Sequence, residues 1–116
     1  MHLGQVSYQE AYTLMLEMRQ KRLKNEISDT LLFLEHPPVI TMGRQSSEKD
    51  LYVSEAFLKE KKIEFFKTER GGKLTYHGPG QLVVYFIFDL GARKLSIQNL
   101  STKWRRALFS FVLLIM

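Results

Sequence analysis

The chain has 116 residues, a hydrophobic fraction of 45%, a charged fraction of 25% and a net charge of +5. These values are typical of one globular domain and exclude a disordered chain. The absence of cysteine excludes a disulfide framework and a thiolate metal site. No apolar run approaches the roughly 20 residues that span a membrane, and the first residues do not form a signal peptide. We therefore predict a cytoplasmic protein with no membrane partner.

The positive charge is compatible with a solvated basic surface, an acidic protein partner or nucleic acid. Lysine and arginine are spread along the chain, with small clusters at residues 59–62 and 105–106. No basic stretch is interleaved with aromatic residues, as it is in platforms that bind nucleic acid. We therefore predict no nucleic-acid partner.

The first quarter of the chain is predicted to be a helix that starts at a cap. Ser7 and Glu10 have the spacing of a capping box, in which each side chain satisfies the other's backbone amide. Apolar residues then recur at helical spacing, so we predict a helix over Tyr8–Leu23. Met15 and Met18 fall on its apolar stripe and are interpreted as core residues.

Two short apolar runs follow this helix. Thr30–Glu35 is predicted to be a buried strand, because His36 and two prolines come directly after it. Val39–Met42 is predicted to be a second strand that stops at Gly43. His36, which precedes the prolines, is interpreted as a structural residue.

The next elements are predicted from caps and periodicity. Residues 44–50 are polar and predict a loop, and Ser54 is expected to cap a short helix over residues 55–62. Residues 63–67 predict a strand. Residues 81–89 are apolar on both faces, which is typical of a central strand in a covered sheet. The alternation of helices and strands predicts an α/β or α+β fold, with a last helix after Ser96.

The most informative segment is residues 70–81. It reads Arg-Gly-Gly-Lys-Leu-Thr-Tyr-His-Gly-Pro-Gly-Gln. Five glycines and prolines in this stretch argue against a regular helix or an interior strand. A backbone that a ligand can approach closely, with many polar side chains, predicts a binding loop.

Within this loop, His77 is the main candidate for binding, because a neutral imidazole could donate to a carbonyl or orient its neighbours. Arg70 either contacts a ligand or anchors its own loop. Thr75 and Tyr76 are expected to place their side chains on opposite sides of an extended segment. His36 and His77 do not have the spacing of a zinc site, so we predict no metal and no cofactor.

These motifs resemble the octanoyltransferases of lipoate biosynthesis. That family carries an Arg-Gly-Gly-x-x-Thr-Tyr-His-Gly-Pro-Gly-Gln motif, and a Glu-His-x-Pro-x-x-x-x-Gly-Arg stretch some thirty residues earlier. Both occur here, the second starting at Glu35 and ending at Arg44. The start of the chain, from Leu3 to Tyr8, is also similar to the family's start, and the similarity extends to about residue 95.

The resemblance implies the fold of lipoate and biotin protein ligases, a mixed sheet flanked by helices. It implies transfer of octanoyl from acyl carrier protein to a lysine of lipoyl domains, namely those of 2-oxoacid dehydrogenases and the glycine cleavage H protein. It further implies that the loop forms one wall of the acyl pocket. The substrate-binding residues carried over are Arg70, Gly71, Gly72, Lys73, Leu74, Thr75, Tyr76 and His77.

The resemblance also implies a cysteine that carries the acyl group and a lysine that lowers its pKa, both in a later half of the family's domain. This chain has no cysteine, so we assign no catalytic residue. We expect residues 1–116 to be the N-terminal part of a single catalytic domain, truncated and inactive. The alternatives are a non-catalytic module that binds an acyl chain or its carrier protein, and a relative of the lipoate or biotin ligases.

Overall fold

The computed structural model describes residues 1–93. These residues form six strands, three α-helices and one short 3-10 helix. The helices are α1 (Tyr8–Leu23), α2 (Glu55–Glu60) and α3 (Leu90–Arg93), with the 3-10 helix at Glu48–Asp50. The strands are β1 (His2–Gln5), β2 (Thr30–Glu35), β3 (Val39–Met42), β4 (Glu64–Lys67), β5 (Leu74–His77) and β6 (Val83–Ile87).

The strands form two mixed sheets of three strands each. The first has the order β1-β2-β6, with β1 parallel and β6 antiparallel to β2. The second has the order β4-β3-β5, with β4 parallel and β5 antiparallel to β3. Only three residues, His36 and the two prolines, connect β2 to β3, so this short link lies where the two sheets meet. The predicted α/β class is confirmed.

Helix α1 covers one face of the first sheet. Its N-cap is the predicted capping box, in which Ser7 Oγ accepts from the Glu10 amide and the Glu10 carboxylate accepts from the Ser7 amide. The core between helix and sheet combines three helical side chains with alternate residues of β2 and β6. It contains Ala11, Met15, Met18, Leu32, Leu34, Val83, Tyr85 and Ile87.

Strand β6 is buried along its whole length, as its apolar run predicted. Val84 and Phe86 face away from α1 and pack against partly buried residues of β2 and the segment after β6. Among the described residues β6 nevertheless lies at an edge of its sheet, and β2 is central. The predicted burial of β6 is confirmed, and its central position in a sheet stays a prediction.

Three predictions need correction. The predicted loop over residues 70–81 contains strand β5, because four of the five residues between Gly72 and Gly78, namely Leu74–His77, pair with β3. The predicted loop over residues 44–50 contains the 3-10 helix. Helix α2 ends two residues early, since Lys62 adopts a φ of 54°, which a helix cannot continue.

Strand β1 was missed altogether, because it is short and contains Gly4 with a φ of 68°. The predicted last helix after Ser96 lies outside the described residues. None of the helices in residues 1–93 is both long enough and apolar enough to cross a membrane.

Candidate functional site

Arg70 is the centre of the hydrogen-bonding network at the start of the glycine-rich segment. Its Nη2 donates to the backbone carbonyl and hydroxyl of Thr41, each at 2.8 Å, and to the Thr75 hydroxyl at 3.1 Å. The same guanidinium donates to the carbonyl oxygens of Lys73, at 2.7 Å, and Gly71, at 2.8 Å. The side chain therefore anchors its own loop to β3, the second of the two roles that the sequence left open.

The loop is also fixed by its backbone. The amides of Gly43, Arg44 and Gln45 donate to carbonyl oxygens of residues 70–73. The Gln45 side chain accepts from the amide of Gly72 at 2.8 Å. These bonds hold the Arg-Gly-Gly segment against the end of β3 with little freedom to rearrange.

Gly43 and Gly72 are required by this close approach. A Cβ on Gly43 would lie 2.3 Å from the carbonyl oxygen of Gly72 and 2.7 Å from Nη1 of Arg70. Gly72 has a φ of 86°, a conformation that side chains disfavour. Gly72 in the later motif and Gly43 in the earlier motif are thus both required by the conformation of the backbone.

A tight turn closes the other end of the segment. The Gln81 amide donates to the Gly78 carbonyl at 3.1 Å, Pro79 holds the second position and Gly80 has a φ of 85°. These are the features of a type II turn. The Gly80 amide also donates to the Glu35 carboxylate at 2.9 Å, which ties the turn to the end of β2.

His77 is buried at the end of β5. Its side chain retains 2% of its accessible surface, and Nδ1 lies 3.1 Å from Oε1 of Gln81. Its ring is 5.9 Å from the ring of His36, centroid to centroid. The two histidines of the two motifs therefore meet at the junction of the sheets.

His36, which follows β2, is fully buried and is hydrogen-bonded both to the segment between β1 and α1 and to β6. Its Nδ1 is 2.7 Å from the carbonyl oxygen of Val6, and its Nε2 is 2.7 Å from the hydroxyl of Tyr85 on β6. A carbonyl oxygen only accepts, so Nδ1 carries a proton and donates. In the neutral ring Nε2 then accepts from the Tyr85 hydroxyl. This arrangement matches the structural interpretation of His36.

Tyr8 completes the aromatic layer around the histidines. Its ring lies 5.5 Å from that of His36 and 5.2 Å from that of Phe66 on β4. The contact brings α1 against the second sheet, because Tyr8 is the first residue of the helix. The site is thus surrounded by aromatic and histidine rings from both sheets.

Burial sets the protonation of these groups. Burial lowers the pKa of His36, opposed by its bond to the Val6 carbonyl. Burial also lowers the pKa of His77, opposed by the bond to Gln81 and assisted by His36 and Arg70 nearby. Burial raises the pKa of the Tyr85 hydroxyl above its ordinary value. Both imidazoles and the phenol are consequently neutral near pH 7.

Arg70 keeps its charge although burial lowers its pKa, because a guanidinium is not deprotonated in proteins. A fixed cation and neutral hydrogen-bonding rings can hold a polar, uncharged group such as a thioester or amide beside an apolar chain. Within residues 1–93, no group of three or more His, Asp or Glu side chains is placed to hold a metal ion.

The predicted binding residues divide into two groups. Arg70, Gly72 and Thr75 lie together at the end of β5 near Met42, whereas His77 lies at the other end of that strand beside Gln81; Thr75 and Tyr76 point to opposite sides as expected. Tyr76 is 53% exposed. Gly71 and Lys73 are also exposed, and Leu74 is half-buried.

Sequence reasoning missed three residues of the site. The hydroxyl of Thr41 accepts two hydrogen bonds from Arg70, and the residue is 1% exposed. Its only signal in the sequence is a hydroxyl inside an apolar strand. Tyr85 was interpreted as one more apolar residue of β6. Gln81 was one of many polar residues at the end of the predicted loop, although it is the hydrogen-bond partner of His77.

Comparison with known proteins matches residues 7–111 to the lipoyl protein ligase A/B catalytic domain. The chain is 54% identical over 98 residues to an octanoyltransferase of Caldicellulosiruptor bescii, covering 84% of this chain and 43% of that protein. It is 44% identical to an octanoyltransferase of Alkaliphilus metalliredigens, covering 84% of this chain and 45% of that protein. The chain thus spans less than half the length of these relatives.

Among solved structures, the chain resembles a candidate lipoate protein ligase from T. acidophilum. The superposition has a TM-score of 0.45 and 19% identity, and it covers 71% of this chain and 33% of that one.

Proposed function

The chain belongs to the family of the lipoyl protein ligase A/B catalytic domain, and we propose that it contributes the acyl-binding wall of an octanoyltransferase. The observation that carries this proposal is the Arg70-anchored segment, which joins a rigid, glycine-lined backbone to the buried His77. Rigid placement of a binding wall lowers the entropy lost when a flexible acyl chain is ordered. The octanoyltransferases among its relatives supply the reaction type.

The proposed donor is octanoyl-acyl carrier protein, and the proposed acceptor is a lysine of a lipoyl domain. These are the lipoyl domains of 2-oxoacid dehydrogenases and the glycine cleavage H protein, and the proposed location is the cytoplasm. The net charge of +5 supports encounter with acidic carriers, because complementary charge accelerates association. Binding to octanoyl-acyl carrier protein is therefore expected to weaken as salt rises and shortens the Debye length.

We propose that the 116-residue chain does not complete the transfer by itself. The reaction implied by the resemblance passes through a thioester on a cysteine, and this sequence has none. A thiolate is needed because it is both a strong nucleophile and a good leaving group at neutral pH. The same observation favours a second candidate function, a module that binds the acyl carrier without catalysing transfer.

The two candidates are separated by complementation. The chain is incubated with octanoyl-acyl carrier protein and a lipoyl domain, alone or with the C-terminal part of the C. bescii octanoyltransferase, and acceptor mass is followed. We expect no mass gain with the chain alone and one octanoyl group with both parts. Binding without transfer in the two-part assembly supports the non-catalytic module. Transfer that requires free octanoate and ATP identifies a ligase.

The role of the wall is tested in the two-part assembly with a matched pair of histidine variants. His77→Ala is expected to lower the transfer rate at least about tenfold, because a positioned polar contact to substrate is lost. His2→Ala changes an exposed histidine on β1 and serves as the control. Equal rates for the two variants, with both melting cooperatively, would remove His77 from the binding wall.

A further inference from the structure

Gln81 and His77 form a hydrogen-bonded pair beside the turn that follows β5. Gln81 follows the Gly78–Gly80 turn, and the turn places its amide oxygen 3.1 Å from Nδ1 of His77. The turn is itself held by the bond between the Gly80 amide and Glu35. The backbone that carries Gln81 is therefore held on both sides of the turn.

The chemistry of this contact determines the tautomer of His77. An amide oxygen only accepts a hydrogen bond, so Nδ1 of His77 must carry the proton and donate. A neutral imidazole has one N–H, so the other nitrogen, Nε2, is then unprotonated. Burial of the ring favours this neutral form.

The second ring nitrogen of His77, Nε2, has no hydrogen-bond partner among residues 1–93. Within that region, no buried side-chain nitrogen or oxygen lacks a partner. Nε2 therefore retains some contact with solvent, although the residue as a whole is 2% exposed. The nearby Arg70 is a donor only, and its hydrogen bonds go to β3 and to its own loop.

We propose that Gln81 is a positioning residue that fixes His77 as the Nδ1–H tautomer, so that Nε2 accepts a hydrogen bond from an N–H or O–H group of the ligand. This differs from the expectation that His77 donates to an acyl carbonyl. A ligand group of this kind is an amide N–H or the amine of an acceptor lysine. The ligand assignment rests on the proposed acyl-binding function, whereas the tautomer does not.

The tautomer is measured on the full chain by two-dimensional correlation of ring nitrogens and carbons at a pH where the rings are neutral. The chain carries three histidines, and two of them are internal references. His36 is expected to show a protonated Nδ1, because it donates to Val6, and His2 is exposed. We expect His77 to match His36, with a protonated Nδ1 and an unprotonated Nε2.

Two variants test the part played by Gln81. Gln81→Glu keeps an oxygen acceptor, so the Nδ1–H form is retained and the pKa of His77 rises beside the new carboxylate. Gln81→Leu removes the acceptor, so the preference for Nδ1–H is lost while the signals of His36 stay in place. A His77 tautomer that is unchanged in Gln81→Leu, or a wild-type ring with Nε2 protonated, would overturn the proposal. So would a wild-type spectrum in which His77 and His36 behave like the exposed His2.

The ligand group is tested with two probes of equal chain length. Octanamide offers an N–H donor, whereas methyl octanoate offers only acceptors. We expect octanamide to shift the Nε2 signal of His77 in the wild type but not in Gln81→Leu, and methyl octanoate to leave it unchanged. A larger effect from the ester contradicts acceptance by Nε2. Failure of both probes to bind counts against the acyl-binding function and leaves the measured tautomer standing.

Discussion

Both ends of the β3–β5 ladder are held by hydrogen bonds to side chains, but one end uses a charged side chain and the other uses neutral ones. At one end, where Met42 pairs with Leu74, the chain is held by the charged guanidinium of Arg70. We call this the cationic end; its residues are Thr41, Gly43, Arg70, Gly72 and Thr75. At the other end, where Val39 pairs with His77, the buried polar groups are neutral. We call this the neutral end; its residues are His36, His77, Gln81 and Tyr85.

The difference follows from burial. Arg70 is half-buried, so water still solvates part of its charge, and its bonds to carbonyl and hydroxyl oxygens are charge-assisted and strong. His36 and His77 are at most 2% exposed, where an unpaired charge would be costly. Removal of the Arg70 charge should therefore destabilise the cationic end, whereas protonation of a buried histidine should destabilise the neutral end.

The largest effect is expected from Arg70→Ala. This change leaves Thr41 and two loop carbonyls without their charged donor, and the glycine-rich loop regains its conformational freedom. We expect a loss of about 3 kcal/mol in the free energy of unfolding, measured by urea titration. Arg70→Lys keeps the charge but not the planar fork and should recover less than half. Arg44→Ala, at an exposed neighbour, is the control; an equal loss there would contradict the anchoring role.

The second effect tests the close backbone approach at the cationic end. Gly43→Ala would place a Cβ 2.3 Å from the Gly72 carbonyl oxygen, and neither backbone can move without breaking hydrogen bonds. We expect a loss of about 2 kcal/mol by urea titration. A Cβ on Gly71 meets no atom within 4 Å, so Gly71→Ala should stay within about 0.5 kcal/mol of wild type. Similar losses in the free energy of unfolding for both variants would show that the close approach at Gly43 does not determine stability.

At the neutral end, Tyr85→Phe removes the hydroxyl that donates to His36. Nε2 of His36 is then a buried acceptor without a partner, and we expect a loss of about 1.5 kcal/mol in the free energy of unfolding. Tyr76→Phe removes a hydroxyl from a side chain that is 53% exposed and should change little. The pair separates the buried hydrogen bond from the general effect of deleting a phenol oxygen.

The local elements were largely predictable, because their signals lie within a few residues. The capping box at Ser7 fixed the start of α1, and the prolines after His36 fixed the end of β2. Strand β5 was hidden, because glycines on both sides of Leu74–His77 dominated the pattern. The strand forms only through pairing with β3, which is a tertiary contact that local composition does not encode.

The site was predicted as a segment but not as a network. The loop sequence identified Arg70 and His77, yet Thr41, the partner of Arg70, and Tyr85, the partner of His36, are chosen by the way two sheets meet. Thr41 is 29 positions from Arg70, and Tyr85 is 49 positions from His36. Periodicity places such residues inside the fold but does not say which polar atoms will face one another.

The smallest expected effect is a dependence of the free energy of unfolding on pH. It should arise only at the neutral end, because the buried histidines there can gain a proton. Burial lowers the pKa of His36 and His77 in the folded chain, whereas unfolded histidine titrates near 6.5. Below about pH 6.5 the unfolded state therefore binds more protons than the folded state. The contribution of these two histidines to the free energy of unfolding is complete above that pH, and it is lost as the pH falls toward their pKa values in the folded chain. Between pH 7.5 and 6 we expect a loss of about 1 kcal/mol.

Urea titrations across this range measure the loss. The carboxyls of Glu10, Glu48 and Asp50, whose pKa values are lowered in the folded chain, lose their contribution only at more acidic pH and so do not overlap this window. His36→Gln should reduce the slope between pH 7.5 and 6, whereas His2→Gln, at an exposed position, should keep it. A stability that is flat over this range would mean that the histidines are protonated alike in both states. The electrostatic contrast between the two ends of the ladder would then be wrong.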